Sequence, residues 1–261
     1  MHQSRTAISI TLSVWKALFL RETLGRLFSS RGAWFWLFAE PVFHTAYLMF
    51  IFTVISVGNV GGIDTALWIM LGMQAFFMFR NTGTQTMNAI GANRPLFAYR
   101  QVKPVDTLLV RASLEGLILT FVTGILMAGL ALMGHSVLPE DPLSVFEAFL
   151  GLWLVGLGFG LITSVIAELV PEIGKIIHLV MMPLMIISGV MLPLAVVPQP
   201  YRDWLMLNPI AHGLEAARLG FAPHYHAVEG LSIAYLFGFA ILSIFLGLAL
   251  HRRFALRLIS Q

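Results

Sequence analysis

Long apolar runs recur along this chain of 261 residues, and they restrict its fold more than any other feature of the sequence. A helix needs about 20 consecutive apolar residues to cross the ~30 Å hydrocarbon layer of a bilayer, and several of the runs reach that length. Because backbone polar groups must be satisfied internally at membrane depth, such runs form helices there. The sequence therefore predicts an all-α membrane protein.

Six spans can be placed from the hydropathy pattern, and the second of them continues as a more polar helix to Ile90. They cover 34–57, 66–79, 107–133, 145–167, 173–192 and 231–250. Only 11% of the residues are charged, against about a quarter in an ordinary soluble domain, and no stretch between the runs is long enough for a further domain. We expect one membrane domain over 1–261.

The distribution of basic residues predicts how the spans are oriented, because short cytoplasmic loops retain lysine and arginine. An even number of spans places both termini on one side of the membrane. Every lysine and arginine except Arg202 and Arg218 falls on that same side. Both termini are therefore predicted to lie in the cytoplasm.

Two further segments are apolar but unsuited to crossing a bilayer. Residues 8–28 mix aliphatic side chains with Lys16, Arg21 and Arg26, which predicts a helix in the cytoplasmic interface; a cleaved or disordered tail is the alternative. Residues 192–228 are interrupted by proline and predict short re-entrant helices on the periplasmic side, with an amphipathic surface loop as the alternative.

A polar stripe marks one face of the second span. Gln74, Asn81, Gln85 and Asn88 fall within about 60° of one another on a helix that turns 100° per residue. With Arg80 beside them, these side chains predict a water-filled conduit. Hydrogen bonding between packed helices, with Arg80 reaching to the cytoplasmic interface, explains them equally well.

The first span is interrupted by Glu40 and Pro41. A carboxylate in the bilayer needs a partner or water, and proline frees a nearby backbone carbonyl, so the pair predicts a kinked, functional helix. Trp34, Phe43 and Tyr47 lie around it. Their rings suit either stacking on sugar faces or an interfacial aromatic belt.

Motifs of the common hydrolases are missing from the sequence. None of the lysines is followed by serine or threonine, which excludes a phosphate-binding P-loop. No histidine precedes a glutamate and no Gly-x-Ser-x-Gly turn occurs. His212, His224, His226 and Glu215 form the best metal-like group, but the polar face of a short helix explains them as well. We predict no catalytic site and no metal site.

Three motifs follow one another along the chain. They are Phe19-Leu-Arg-Glu22 with Arg31-Gly-x-Trp34 and Phe38-Ala-Glu-Pro41, then Leu96-Phe-x-Tyr-Arg-x-Val-Lys-Pro-x-Asp106, then Asn208-Pro-x-x-His-x-x-Glu-x-x-Arg218. In this order they resemble the ABC-2 type exporter permeases, in particular their capsular-polysaccharide branch, and the resemblance covers nearly the whole chain.

This resemblance implies the permease subunit of a bacterial inner-membrane exporter, which works as a homodimer with two copies of a separate ATPase. ATP and Mg²⁺ would bind that partner, and this chain would hold no cofactor. A periplasmic adaptor, an outer-membrane channel and a lipid-linked acidic capsular polysaccharide complete the implied partners, with no nucleic acid. O-antigen, teichoic acid or a drug are the rival substrates. A secondary carrier or an intramembrane enzyme would need a repeat or a paired acid and base, and neither is visible.

The resemblance also assigns roles: a gate helix to 8–28, ATPase coupling to 91–106 and a periplasmic re-entrant pair to 192–228. Asp106 is expected to be the N-cap of the third span. The substrate channel and its electropositive entrance are assigned to Arg26, Arg31, Arg80, Arg94, Arg100, Lys103, Gln74, Asn81, Gln85, Asn88, Trp34, Phe43 and Tyr47. ATPase coupling is assigned to Asn93, Arg94, Leu96, Phe97, Tyr99 and Arg100. A kink or a seal is assigned to Glu40, Pro41, Asn208, Pro209, His212, Glu215 and Arg218.

Overall fold

The computed structural model describes residues 7–55, 58–99 and 101–260, and its regular structure is almost entirely helical. The longer helices are α1 (Ala7–Leu27), α2 (Ala33–Ile55), α3 (Thr65–Met87), α5 (Pro104–Leu132), α6 (Pro142–Leu169), α7 (Glu172–Ile187), α9 (Pro209–Phe221) and α10 (Ile233–Ser260). The short elements are α4 (Ala89–Asn93), α8 (Tyr201–Leu205), two 3₁₀ turns (Arg94–Ala98 and Leu194–Val196) and a hairpin of β1 (Asn59–Val60) with β2 (Ile63–Asp64).

Four of the described helices, α2, α5, α6 and α10, are long and apolar enough to cross a membrane. The two other predicted spans coincide with α3 and α7. The helix α3 has 23 residues but carries the polar stripe, and α7 has 16 residues, fewer than the roughly 20 that a span needs. The helical, multi-pass character is confirmed, whereas the count of six spans stays a prediction.

The centre of the bundle is α3. Its residues from Thr65 to Phe79 are all buried, and it packs against α2, α5, α6 and α9. Asp64 caps its first turn by accepting hydrogen bonds from the backbone N–H groups of Ala66 and Leu67 at 3.0 and 3.2 Å. Because neighbouring helices surround α3, it can carry polar side chains that a lipid-facing helix could not.

Glycines allow α6 to approach both α3 and α10 closely. A Cβ atom at Gly156 would lie 2.7 Å from the carbonyl oxygen of Phe79 on α3. On another face of α6, a Cβ atom at Gly158 would lie 2.6 Å from the Ser243 hydroxyl on α10. Small residues at such contacts are typical of packed membrane helices, because they let backbones meet.

Gly160→Val is expected to destabilise the bundle by about 1–3 kcal/mol, the usual range for overpacking. A Cβ atom there would lie 2.4 Å from the Cβ of Thr86 and 2.9 Å from the carbonyl oxygen of Gly83. The melting temperature of the purified protein in detergent checks the effect. Gly238→Val on α10 is the matched control, since a Cβ atom there has no neighbour within 4 Å. Equal melting temperatures for the two variants would contradict the prediction.

The segment between α3 and α5 folds against the bundle. Phe97 is only 7% exposed and packs with Leu108 and Leu258, whereas Tyr99 is 66% exposed. The expectation that Asp106 is the N-cap of α5 is wrong. The helix begins at Pro104, a favoured first residue because it has no N–H to satisfy, and Asp106 in the first turn accepts the backbone N–H of Lys103 at 3.0 Å.

Candidate functional site

A polar cavity of about 450 Å³ lies among α1, α2, α3, α5 and α7. Residues that are far apart in the sequence line it together: Glu40 and Pro41 of the first predicted span, and Asn81 and Gln85 of the polar stripe. Its charged and imidazole side chains are Arg26, Glu40, His44, Arg80, Glu115 and His178.

Two arginines, Arg26 and Arg80, line this cavity. Of the two, Arg80 forms no ion pair within the described part of the chain. Its guanidinium carbon lies 5.7 Å from the centroid of the Phe77 ring, a weak cation–π contact. An ionisable residue at membrane depth faces a bundle interior or a wet path. The charge of Arg80 is therefore available to an anion that enters the cavity.

Arg26 belongs instead to a charged clasp between α1 and α5, made of Glu22, Arg26, Arg111 and Glu115. Arg26 pairs with Glu115 and lies 3.5 Å from Glu22, and Arg111 donates to Glu22 at 2.7 Å. These side chains are between 6 and 16% exposed. The charge of Arg26 is thus balanced by its neighbours.

Further hydrogen bonds attach α1 to the segment that leads into α5. The indole N–H of Trp15 donates to Asp106 at 2.8 Å, and Arg21 donates to the side-chain oxygen of Asn93 at 3.0 Å. Asn93 is buried and donates in turn to the carbonyl oxygen of Ala89 at 2.9 Å. With the clasp, these bonds link α1 to both α5 and the region 89–106.

The polar stripe of α3 divides between two environments. Gln74 is fully buried, donates to the Thr45 hydroxyl on α2 at 3.0 Å and accepts from the Thr123 hydroxyl on α5 at 3.4 Å. Asn81 and Gln85 face the cavity, and Asn88 is exposed at the end of the helix. Gln74 therefore joins packed helices, whereas the later residues bound a polar space.

The remaining entrance candidates lie outside this cavity. Trp34, Phe43 and Tyr47 are 56, 65 and 63% exposed on α2. Arg31 and Lys103 are exposed, and Arg94 pairs with Glu168 on α6 at 2.5 Å. Among the coupling candidates, Leu96 is half-buried, and Arg100 lies outside the described residues.

A second polar site, the arginine hub (Trp68, Glu215, Arg218 and Tyr225), lies near the N-terminal end of α3. Arg218 is fully buried, and its guanidinium carbon lies 3.6 Å from the Trp68 ring centroid. It donates to Glu215 at 3.1 Å and to the carbonyl oxygens of Gly189 and Val190 at 2.9 and 3.1 Å. The hub therefore connects α9 with α3 and with the chain after α7.

Glu215 extends the hub towards α10. It accepts hydrogen bonds from the Tyr225 hydroxyl at 3.2 Å and from the backbone N–H of Val228 at 3.4 Å. Burial, with the neighbouring Glu215 charge, raises the pKa of Tyr225, so its hydroxyl stays protonated and can donate. A charge-assisted network of this kind holds α9 firmly in the fold.

The other polar residues of the third motif also make structural bonds. Asn208 caps α9 by accepting the backbone N–H of Ile210 at 3.0 Å, and it donates to the Ser188 hydroxyl at 2.8 Å. Pro209 occupies the first turn of the helix. His212 bonds to the carbonyl oxygen of Met206 at 2.8 Å and accepts the backbone N–H of Ser232 at 3.0 Å.

Several residues of both sites were missed from the sequence. His44, Glu115 and His178 lie inside predicted spans, so the criterion applied to Glu40, an ionisable residue in an apolar run, would have found them. Trp68 and Tyr225 carry no such signal, because Trp68 meets Arg218 from a distant part of the chain and Tyr225 lies outside the predicted spans.

Comparison with known proteins identifies the family of the chain, and the match covers most of both polar sites. The family model of the ABC-2 type transporter matches residues 13–222, which include all of the cavity and most of the hub. This chain belongs to the ABC-2 type transporter family. It is therefore the membrane subunit of a transporter rather than an enzyme, and the resemblance read from the three motifs is confirmed.

Relatives with curated descriptions match over most of their length. The polysialic acid transport protein KpsM of Escherichia coli is 34% identical over 95% of this chain and 96% of its own. The capsule polysaccharide export inner-membrane protein CtrC of Neisseria meningitidis is 28% identical over 78% of this chain and 77% of its own. BexB of Haemophilus influenzae, with the same description, is 26% identical over 83% and 82%.

Proposed function

We propose that this chain is the permease subunit of an ATP-binding-cassette exporter that moves lipid-linked acidic capsular polysaccharide from the cytoplasm to the periplasm. The polar cavity carries the proposal, because Arg80 gives it a positive charge without an ion-pair partner in the described part of the chain. An acidic polymer needs such a wet, charged path to pass the hydrocarbon layer. The relatives named for polysialic acid or capsule export support the substrate class.

The arrangement of the helices and termini in the membrane is part of this proposal. α3 and α7 join the four apolar helices to give six spans, with α3 screened from lipid by its neighbours. α1 lies in the cytoplasmic interface, the region 192–228 is re-entrant from the periplasm, and both termini are cytoplasmic. In this orientation the cavity lies in the cytoplasmic half of the bilayer and the arginine hub in the periplasmic half.

Two copies of the chain would assemble with two copies of a separate ATPase, which binds ATP and Mg²⁺. The ATPase contacts the region 91–106, where Tyr99 is exposed. Movement of the ATPase is transmitted to the cavity through α1, because Trp15 and Arg21 of α1 bond to the region 91–106 and Arg26 of α1 lines the cavity. The nucleotide shifts the channel between closed and open states only if its affinity for them differs. A periplasmic adaptor and an outer-membrane channel continue the path.

The charge of the cavity suits conduction of a polymer. Two arginines, Arg26 and Arg80, face two glutamates, Glu40 and Glu115, so the formal charges balance. A site that conducts must attract its substrate without holding it tightly. Arg31 and Lys103 outside the cavity would concentrate the polymer at the approach, where exposed charge acts over about 8–10 Å.

Complementation tests the proposal. The gene, co-expressed with its ATPase partner in a strain that lacks its own capsule-export permease, is expected to restore polymer at the cell surface, measured by staining of intact cells. Retention of polymer inside the cell, despite assembly of both subunits, would contradict the capsule assignment.

A further inference from the structure

An apolar crevice of about 740 Å³ opens between α5 and α6, two of the helices apolar enough to cross a membrane. Leu71 and Met78 of α3 lie at its floor. On α5 its lining runs from Ser113 to Met127, about 21 Å along a helix. The crevice is therefore a long groove that reaches the central helix of the bundle.

Bulky side chains lie at both ends of the crevice. Trp153 of α6 lines one end, where its indole N–H donates to the carbonyl oxygen of Ala112 on α5 at 2.8 Å. Pro139, Pro142 and Phe221 line the other end. A helix from another protein packs at an axial separation of about 8–10 Å, so the bulky side chains at the ends favour a thin, flexible occupant.

The side-chain donors that line the crevice are engaged within the protein. The hydroxyls of Ser113, Thr120 and Thr123 donate to carbonyl oxygens one helical turn back, at 2.9, 2.7 and 2.8 Å. These hydroxyl oxygens can still accept a hydrogen bond, but ordered water needs about two to four polar partners, and the other lining side chains are apolar apart from the bonded Trp153. The crevice therefore favours a hydrocarbon chain.

We propose that this crevice binds an acyl chain of a phospholipid of the surrounding bilayer. Gly124 of α5 leaves room for the chain, since a Cβ atom there would have no neighbour within 4 Å. The chain packs against Leu71 and Met78, and so supports the helix that carries Arg80 into the polar cavity. The proposal depends on the membrane location of α5 and α6 and not on the exported substrate.

Photo-crosslinking in lipid nanodiscs tests the proposal. The full-length protein is reconstituted in phosphatidylethanolamine and phosphatidylglycerol, part of it with a diazirine on one acyl chain, and the adducts are mapped by mass spectrometry. Gly124→Phe fills the crevice, and Gly129→Phe is the matched control: a Cβ atom at either glycine has no neighbour within 4 Å, but only Gly124 lines the crevice. Adducts are expected to concentrate in 113–127 and 142–153, and to fall several-fold in Gly124→Phe alone.

Equal adduct yields in the two variants, or adducts spread evenly over α2 and α10, would overturn the proposal. The natural chain contains no cysteine, so an intermolecular disulfide formed by Gly124→Cys in membranes would place a second copy at the crevice and overturn it too. If Gly124→Phe does not elute as a folded protein, the pair Gly124→Leu and Gly129→Leu replaces it. Failed complementation with an unchanged adduct pattern would count against the capsule assignment alone.

Discussion

Arg218→Met is expected to destabilise the protein by about 3–5 kcal/mol, the range for removing one partner of a buried ion pair. The carboxylate of Glu215 would remain fully buried without its counter-charge. The substitution also removes the cation stacked on Trp68 and the donors to the carbonyl oxygens of Gly189 and Val190. Because natural proteins are stable by only about 5–15 kcal/mol, the amount of folded protein in the membrane should fall sharply.

Membrane yield and melting temperature in detergent measure this loss. Arg202→Met is the matched control, because Arg202 lies outside the hub, is only half-buried and donates to a single carbonyl oxygen, that of Val197 at 3.0 Å. Adding Glu215→Gln to Arg218→Met should recover part of the stability, since it removes the unpaired charge. Wild-type yield and melting temperature for Arg218→Met would contradict the structural role of the hub.

The helices of the bundle were predictable from apolar runs because bilayer thickness sets their length. The predicted span 145–167 lies inside α6, Pro142–Leu169, and the predicted span 107–133 overlaps nearly all of α5, Pro104–Leu132. The last helix extends beyond its predicted span, 231–250. α10 continues from the predicted end at 250 to Ser260, because Arg252, Arg253 and Arg257 interrupt the apolar run without interrupting the helix.

The two polar sites were only partly predictable, because a helical face does not reveal what packs on it. Gln74 and Asn81 share one face of α3, but Thr45 and Thr123 bond to Gln74, whereas Asn81 borders the cavity. Arg218 likewise belonged to a recognisable motif. Its burial on Trp68 depends on how α9 packs against α3, and the spacing of residues in the motif holds no information about that contact.

Arg80→Gln is expected to reduce polysaccharide export about tenfold or more while leaving the protein assembled. A charge pair at 4 Å is worth about 4 kcal/mol at the effective dielectric constant near a protein surface. Loss of about 1.4 kcal/mol from the rate-limiting passage is enough for a tenfold effect. Folding should be little affected, because Arg80 forms no ion pair among the described residues, and glutamine keeps a polar side chain in the cavity.

Surface polymer per assembled transporter, in the complemented strain, measures the effect of Arg80→Gln. Arg253→Gln is the matched control, since Arg253 is exposed near the end of α10 and does not line the cavity. Normal export by Arg80→Gln would contradict a role for the cavity in substrate passage.

Arg80→Lys separates the effect of charge from the effect of shape. An ammonium keeps the positive charge but loses the planar fork with which a guanidinium binds a carboxylate at two points. Because a moving polymer requires weak and exchangeable contacts, we expect Arg80→Lys to restore most of the export.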